Sequence, residues 1–236
     1  MSVLQSIFRA AEDENRRVIV QAMEPRPGCR FLDLGCANGD WTRRVSEHIR
    51  AGELHGVEMV DRFAEQARGR GIDVVQADLS EPLGAYGDES FDVIHSNQVI
   101  EHLRGTDTFM QEIHRLLKPD GYALISTNNL ASWHNILSLV MGWQPPPCNV
   151  SDWVNLGNPF NAYRECEYAV RGWTHLRVFT GKALTALARY HGLQPVVERA
   201  AGYYPFPPPV ARWLAEVDRR HAAFLVHVYV RAGVVP

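Results

Sequence analysis

The sequence predicts an α/β protein: one three-layer domain built on a doubly wound, mostly parallel sheet of about seven strands. Three observations carry that reading. From residue 30 to residue 126, apolar runs of strand length alternate with amphipathic stretches of helix length, the pattern of strands joined by helical crossovers. The first run, Phe31-Leu32-Asp33-Leu34, empties into the glycine turn Gly35-Cys36-Ala37-Asn38-Gly39, and a helix follows from Trp41. With 236 residues and 46% hydrophobic composition, the chain can bury one full core of single-domain size.

The elements are expected in the following order. Residues 1–28 form an N-terminal helical segment, because Val3, Leu4, Ile7, Phe8 and then Val18 and Ile19 recur at helical spacing, as one helix or two, until Pro25, Pro27 and Gly28 end it. Residues 30–129 hold strands at 31–34, 54–58, 72–76, 91–95 and 122–126. Helices at 41–49, 61–68 and 106–117 lie between them, and the Pro119-Asp120-Gly121 turn opens the last strand. Right-handed crossovers then place the C-terminal ends of the parallel strands on one edge. Residues 131–176 begin with a helix at 133–141, but 142–172 have no period, and a stretch that long without an element is expected to be a lid-like cover. In 177–236, Arg177-Val178-Phe179 restores regularity and Thr180 caps a helix running to Tyr190. Strands at 195–199 and 224–230, with a Pro-rich link and a short helix at 210–217 between them, close the domain.

Charge and cysteine usage narrow the function. Lys and Arg number 24 against 27 acids, a net charge of −3 with no basic run, so no nucleic-acid partner is expected. Cys29, Cys36, Cys148 and Cys166 form no C-x-x-C pair and follow no signal-peptide pattern, which points to reduced thiols and a cytoplasmic location. The apolar runs are too short to span a bilayer.

Three acids mark a ligand edge. Asp33, Glu58 and Asp78 stand at or near the ends of the first three strands. Any one of them could be a surface charge or a helix cap. Together behind a glycine turn, they suit a nucleoside: Glu58 to accept from both ribose hydroxyls, Asp78 to meet an adenine amine. A dinucleotide fingerprint would put glycine at 37 and glycine or alanine at 40, where this chain has Ala37 and Asp40. An acid at the helix start repels a diphosphate but tolerates an amine and a sulfonium, so S-adenosylmethionine fits better than NAD.

On these residues, the segment 31–129 resembles the class I S-adenosylmethionine-dependent methyltransferases. LDLGCANG is similar to the family's first motif, VEMV to its acidic second strand, QADLS to its adenine-side motif, FDVIHSNQVIEHL to its fourth-strand motif and HRLLKPDGYALIST to the helix, turn and strand after it. The resemblance implies a final antiparallel strand. It also implies that Gly35, Cys36, Ala37 and Gly39 lie against the methionine moiety, that Asp33 orients the turn and meets the cofactor amine, directly or through water, and that Glu58 holds the ribose. Met59 would cover the adenine, Asp78 and Leu79 would read its edge, and Ser96, Asn97 and Gln98 would line the methionine end. Ala37 departs from the family's usual glycine.

The sulfonium already activates its methyl group, so alignment supplies most of the gain and a base serves only a poorly ionised nucleophile. His102, His134 and His175 are the candidate bases, and Trp133, Asn135, Trp153 and Tyr163 are expected to face the acceptor. Ser96-Asn97-Gln98-Val99 stands where amide and base N-methyltransferases carry an Asn/Asp-Pro-Pro-aromatic signature. The expected reaction is therefore O-methylation of a hydroxyl or carboxylate on a small metabolite, a glycan or a peptide-derived natural product. One alternative is metal-assisted O-methylation of an RNA or a quinone precursor, since Glu101-His102 resembles the end of an E-x-x-E-H metal motif. Gln98 replaces that motif's first carboxylate, a poorer ligand for a hard cation, and no metal ligand is assigned. The other alternative is a non-catalytic cofactor-binding scaffold.

Overall fold

The computed structural model of the chain describes residues 2–168 and 174–233. The strand β1 (Arg30–Leu34) alternates Phe31 and Asp33 on one face with Leu32 and Leu34 on the other, and all four are buried. Such a strand needs helices on both sides. On the first side lie α1 (Val3–Ala22) and α2 (Asp40–Ile49), which bring Val18, Ile19, Val45 and Ile49 onto Phe31. On the second lie α4 (Thr106–Leu116) and α6 (Gly181–Tyr190), with Phe109, Ile113 and Leu184 among the residues clustered with Leu32 and Leu34. The N-terminal helix is a single one, opened by Ser2 and Gln5 as a capping box.

The remaining strands are β2 (Glu53–Val57), β3 (Asp73–Val75), β4 (Phe91–Asn97), β5 (Leu117–Asn128), β6 (Leu193–Ala201) and β7 (Phe224–Arg231). Their order in the sheet is β3-β2-β1-β4-β5-β7-β6. The last strand, β7, is antiparallel as expected, and it lies inside the sheet between β5 and β6. The order reverses between β1 and β4, and the crevice beyond the carboxyl ends at such a reversal is where open α/β sheets bind ligands.

Several boundaries differ from the sequence reading. Ile72 lies outside β3 because it packs with Ala64 and Ala67 of α3 (Asp61–Arg68). Strand β5 begins before the Pro119-Asp120-Gly121 turn: Leu117 already pairs with Phe91, and the register shifts before pairing resumes at Tyr122 and Val93. Arg177-Val178-Phe179 precedes the return of regular structure, which starts with α6 (Gly181–Tyr190). Phe179 makes one bridge, to Asn129. Thr180 does cap α6, its hydroxyl accepting from Ala183 N. The stretch 142–168 has turns and one isolated bridge, Val154 to Glu167, while 169–172 of the expected cover lie outside the described residues.

Candidate active site

Backbone sterics explain the turn after β1. Gly35 has φ +84°, and a Cβ there would meet Val99 Cγ2 at 2.4 Å; Gly39 has φ +83°, and its Cβ would meet Ile72 Cδ1 at 2.6 Å. Ala37 also lies in the left-handed region, at φ 46°. An alanine there carries strain that glycine would not, about 1 kcal/mol. Ala37→Gly is expected to raise the melting temperature by a few degrees with unchanged cofactor affinity; a fall in melting temperature measured by calorimetry would contradict this account of the turn.

Two acids fasten that turn. Glu58 Oε2 accepts from Ala37 N at 3.0 Å and Oε1 accepts from Val60 N at 2.8 Å, so the carboxylate bridges the first two strand ends. Asp33 is buried: Oδ2 accepts from Thr42 Oγ1 at 2.6 Å and Oδ1 lies 2.7 Å from His95 Nδ1. It holds the turn from behind, enclosed between Thr42 and His95. The Cys36 thiol is likewise turned inward against Gly56, where burial raises its pKa, leaving only its backbone for a ligand. Met59 and Asp78 are exposed at the edge, while Leu79 belongs to the core. Asn97 Oδ1 accepts from Asn15 Nδ2 at 3.1 Å, which ties α1 to the end of β4.

Beside this edge opens a cavity of about 670 Å³, bounded by α1, α5 (Trp133–Val140), the 143–168 stretch and Tyr204-Pro205. Trp133, His134, Tyr163 and His175 stand in its wall, as the sequence reading expected of acceptor-side groups. Asn135 and Trp153 do not. Asn135 is buried and donates to Asn129 O, and Trp153 is exposed. The sequence reading missed Ile7, Phe8 and Glu12 of α1 and Tyr204, whose ring stacks on Phe8. Gln98, which the resemblance put at the methionine end, also stands in that wall. Gln98 sits at φ 57°, a strained position for a non-glycine residue, and its Nε2 is buried without a hydrogen-bond partner.

His175 meets His102 because the backbone N–H groups of Leu176 and Arg177 both donate to Glu101 O. The two imidazole centroids are 4.8 Å apart. His102 Nδ1 lies 3.1 Å from Thr174 O and His175 Nδ1 lies 2.8 Å from Pro147 O. A carbonyl oxygen only accepts, so each Nδ1 carries the proton and each Nε2 keeps its lone pair. Glu101 is fully buried, accepting from Thr127 Oγ1 and Asn128 Nδ2, and one ligand atom from each of Glu101, His102 and His175 lies within 4.8 Å of the others. Burial, with His175 alongside, pushes His102 down to about 4; burial pushes Glu101 up to about 7.

His134, set against Tyr204 in the cavity wall, is pushed by burial from 6.5 to about 4. A depressed folded-state pKa gives stability that is present above 6.5 and lost as pH falls through about 4. His134→Gln is therefore expected to flatten the acid side of a melting-temperature profile between those values. An acid limb identical to that of the unsubstituted protein would contradict the burial of a neutral ring.

Residues 7–198 match the family described as methyltransferase domain. The chain belongs to that family. As a class I domain its cofactor is S-adenosylmethionine. Among curated proteins, the ubiquinone biosynthesis O-methyltransferase of Parvibaculum lavamentivorans is 28% identical over 143 residues, covering 53% of this chain and 52% of that protein. Phosphoethanolamine N-methyltransferase 2 of Caenorhabditis elegans is 28% identical over 123 residues, covering 48% of this chain and 27% of that protein. The chain thus spans about half or less of the length of these relatives. The crystal structure of an S-adenosylmethionine dependent methyltransferase from Mesorhizobium loti shares the fold, with a TM-score of 0.61 at 19% identity over 94% of this chain and 98% of that one. No helix among the described residues is long and apolar enough to cross a membrane.

Proposed function

We propose that this domain transfers the methyl group of S-adenosylmethionine to an oxygen of a small acceptor whose apolar body occupies the cavity. The observation that carries the reading is the set of groups at the cavity wall and just behind it: Gln98 Nε2 with no partner and His175 with a free Nε2 lone pair in the wall, and His102, its Nε2 likewise free, packed against His175. Gln98 offers a donor that fixes the acceptor's polar group, and a neutral imidazole takes the hydroxyl proton as the oxygen attacks the methyl carbon. The carbon–sulfur bond breaks in the same step, and the sulfonium leaves as a neutral thioether. An amine attacks through a lone pair it already has and gains less from two imidazole bases, which favours oxygen over nitrogen. The apolar wall favours an acceptor with an aromatic or aliphatic body over a free sugar. Free thiols at all four cysteines support a cytoplasmic setting.

The test is transfer of a deuterated methyl group from labelled cofactor to a panel of phenols, alkyl alcohols, carboxylic acids and amines, read by mass spectrometry. Label on oxygen supports the reading, and label on amines alone overturns it. The 142–168 stretch forms the outer wall of the cavity, so limited proteolysis within it is expected to slow when cofactor and acceptor are both present. Equal cutting in both states would assign that stretch to fixed structure.

A second reading is favoured by the convergence of Glu101, His102 and His175. A carboxylate and two imidazoles with their Nδ1 protons fixed by carbonyls make a donor set that suits a divalent cation. Bound there, a cation would act as a Lewis acid on the acceptor oxygen, with the three side chains as its ligands. Activity lost in chelator and restored by added magnesium or zinc would select this reading; activity indifferent to chelator would select the histidine base.

A further inference from the structure

The helix α5 is amphipathic in the inverted sense. Its polar residues Asn135 and Ser138 are buried, while Trp133, Leu137, Val140 and Met141, spaced as one helical stripe, face outward, with Val140 76% and Leu137 58% exposed. A second stripe, Val210, Trp213 and Val217, is exposed on α7 (Pro208–Val217). The two helices adjoin, because Trp133 Nε1 donates to Asp218 Oδ2 at 3.0 Å and the Trp133 ring lies 4.3 Å from that of His221. The chain has no Asp, Glu, Lys or Arg from residue 121 to residue 151, so the α5 face holds no charge of its own. Arg219 and Arg220 follow at its rim, both exposed, and among the described residues no carboxylate pairs with either.

We propose that this face docks the protein on an anionic bilayer surface. An uncharged apolar stripe flanked by tryptophans and unpaired arginines is the arrangement that seats side chains among acyl chains and cations among acidic headgroups. The cavity decides between occupants. Trp133 and Leu137 line the cavity as well as the outer face. A second copy packed permanently over them would shut these two wall residues off from any amphiphile, whereas a bilayer would present an amphiphilic acceptor beside them. The docking itself holds whichever acceptor atom is methylated.

The experiment is flotation of the whole chain with vesicles of phosphatidylcholine alone and with about a third phosphatidylglycerol. The protein is expected to float with the anionic vesicles and to be released by salt. V140E/M141E should lower its partition by about tenfold or more. R219A/R220A should lower it by about tenfold on anionic vesicles and little on neutral ones. All four side chains are outside the cofactor edge, so unchanged calorimetric binding of S-adenosylmethionine certifies each variant as folded. No flotation with anionic vesicles overturns the proposal, as does flotation that survives both double substitutions. A wild-type dimer in sedimentation equilibrium that V140E/M141E converts to monomer, without vesicle binding, would assign the face to a second copy instead.

Discussion

Glu58→Ala is expected to weaken S-adenosylmethionine binding by about a hundredfold or more while the sheet stays folded. Two losses add. The carboxylate stands at the end of β2 with its oxygens on Ala37 N and Val60 N, so its removal frees the turn that the proposed site sets against the cofactor. In that site its remaining lone pairs would accept from the ribose hydroxyls, and each charge-assisted hydrogen bond is worth about 1.5–3 kcal/mol, or ten- to a hundredfold in affinity. Glu58→Gln keeps an acceptor oxygen and should recover part of the loss. Calorimetric titration of both variants decides the point: a dissociation constant unchanged in folded Glu58→Ala would remove Glu58 from the cofactor edge.

His102→Ala is expected to lower turnover by about 10²–10⁴-fold with little change in cofactor affinity. His102 lies against His175, which stands in the cavity wall, both keep their Nε2 lone pairs free, and the depressed pKa of about 4 keeps His102 unprotonated through the neutral range. A base with that pKa is lost only as pH falls through about 4, so the unsubstituted enzyme should lose turnover there and the alanine variant should lack that limb. An alanine variant with unchanged turnover would place the proton acceptor elsewhere, His175 being the next group to replace.

What could be read from the chain was local. Strand β1, the glycine turn and the acids at 33, 58 and 78 declare themselves because alternation and φ preferences act over a few residues. The meeting of His102 with His175 is set by backbone hydrogen bonds to Glu101 O from a segment far along the chain, which no periodicity reports. Helix α5 shows the same limit in another form. A period of 3.6 says which side chains share a face, so Trp133, Leu137, Val140 and Met141 could be grouped, but not that their face turns outward and leaves Asn135 inside. The part of α1 at the cavity wall was legible as helix and silent as site, since Ile7 and Phe8 read like any core residues.

The most direct test of the account is the position of the transferred methyl in the product formed from an extract supplied with deuterated S-adenosylmethionine. The account predicts a product with the label on oxygen, formed by the unsubstituted protein and lowered by about 10²–10⁴-fold with His102→Ala, which retains its cofactor affinity. A protein that binds the cofactor yet labels nothing would be a scaffold, and label found on nitrogen, or persisting undiminished in His102→Ala, would contradict the site described for the acceptor.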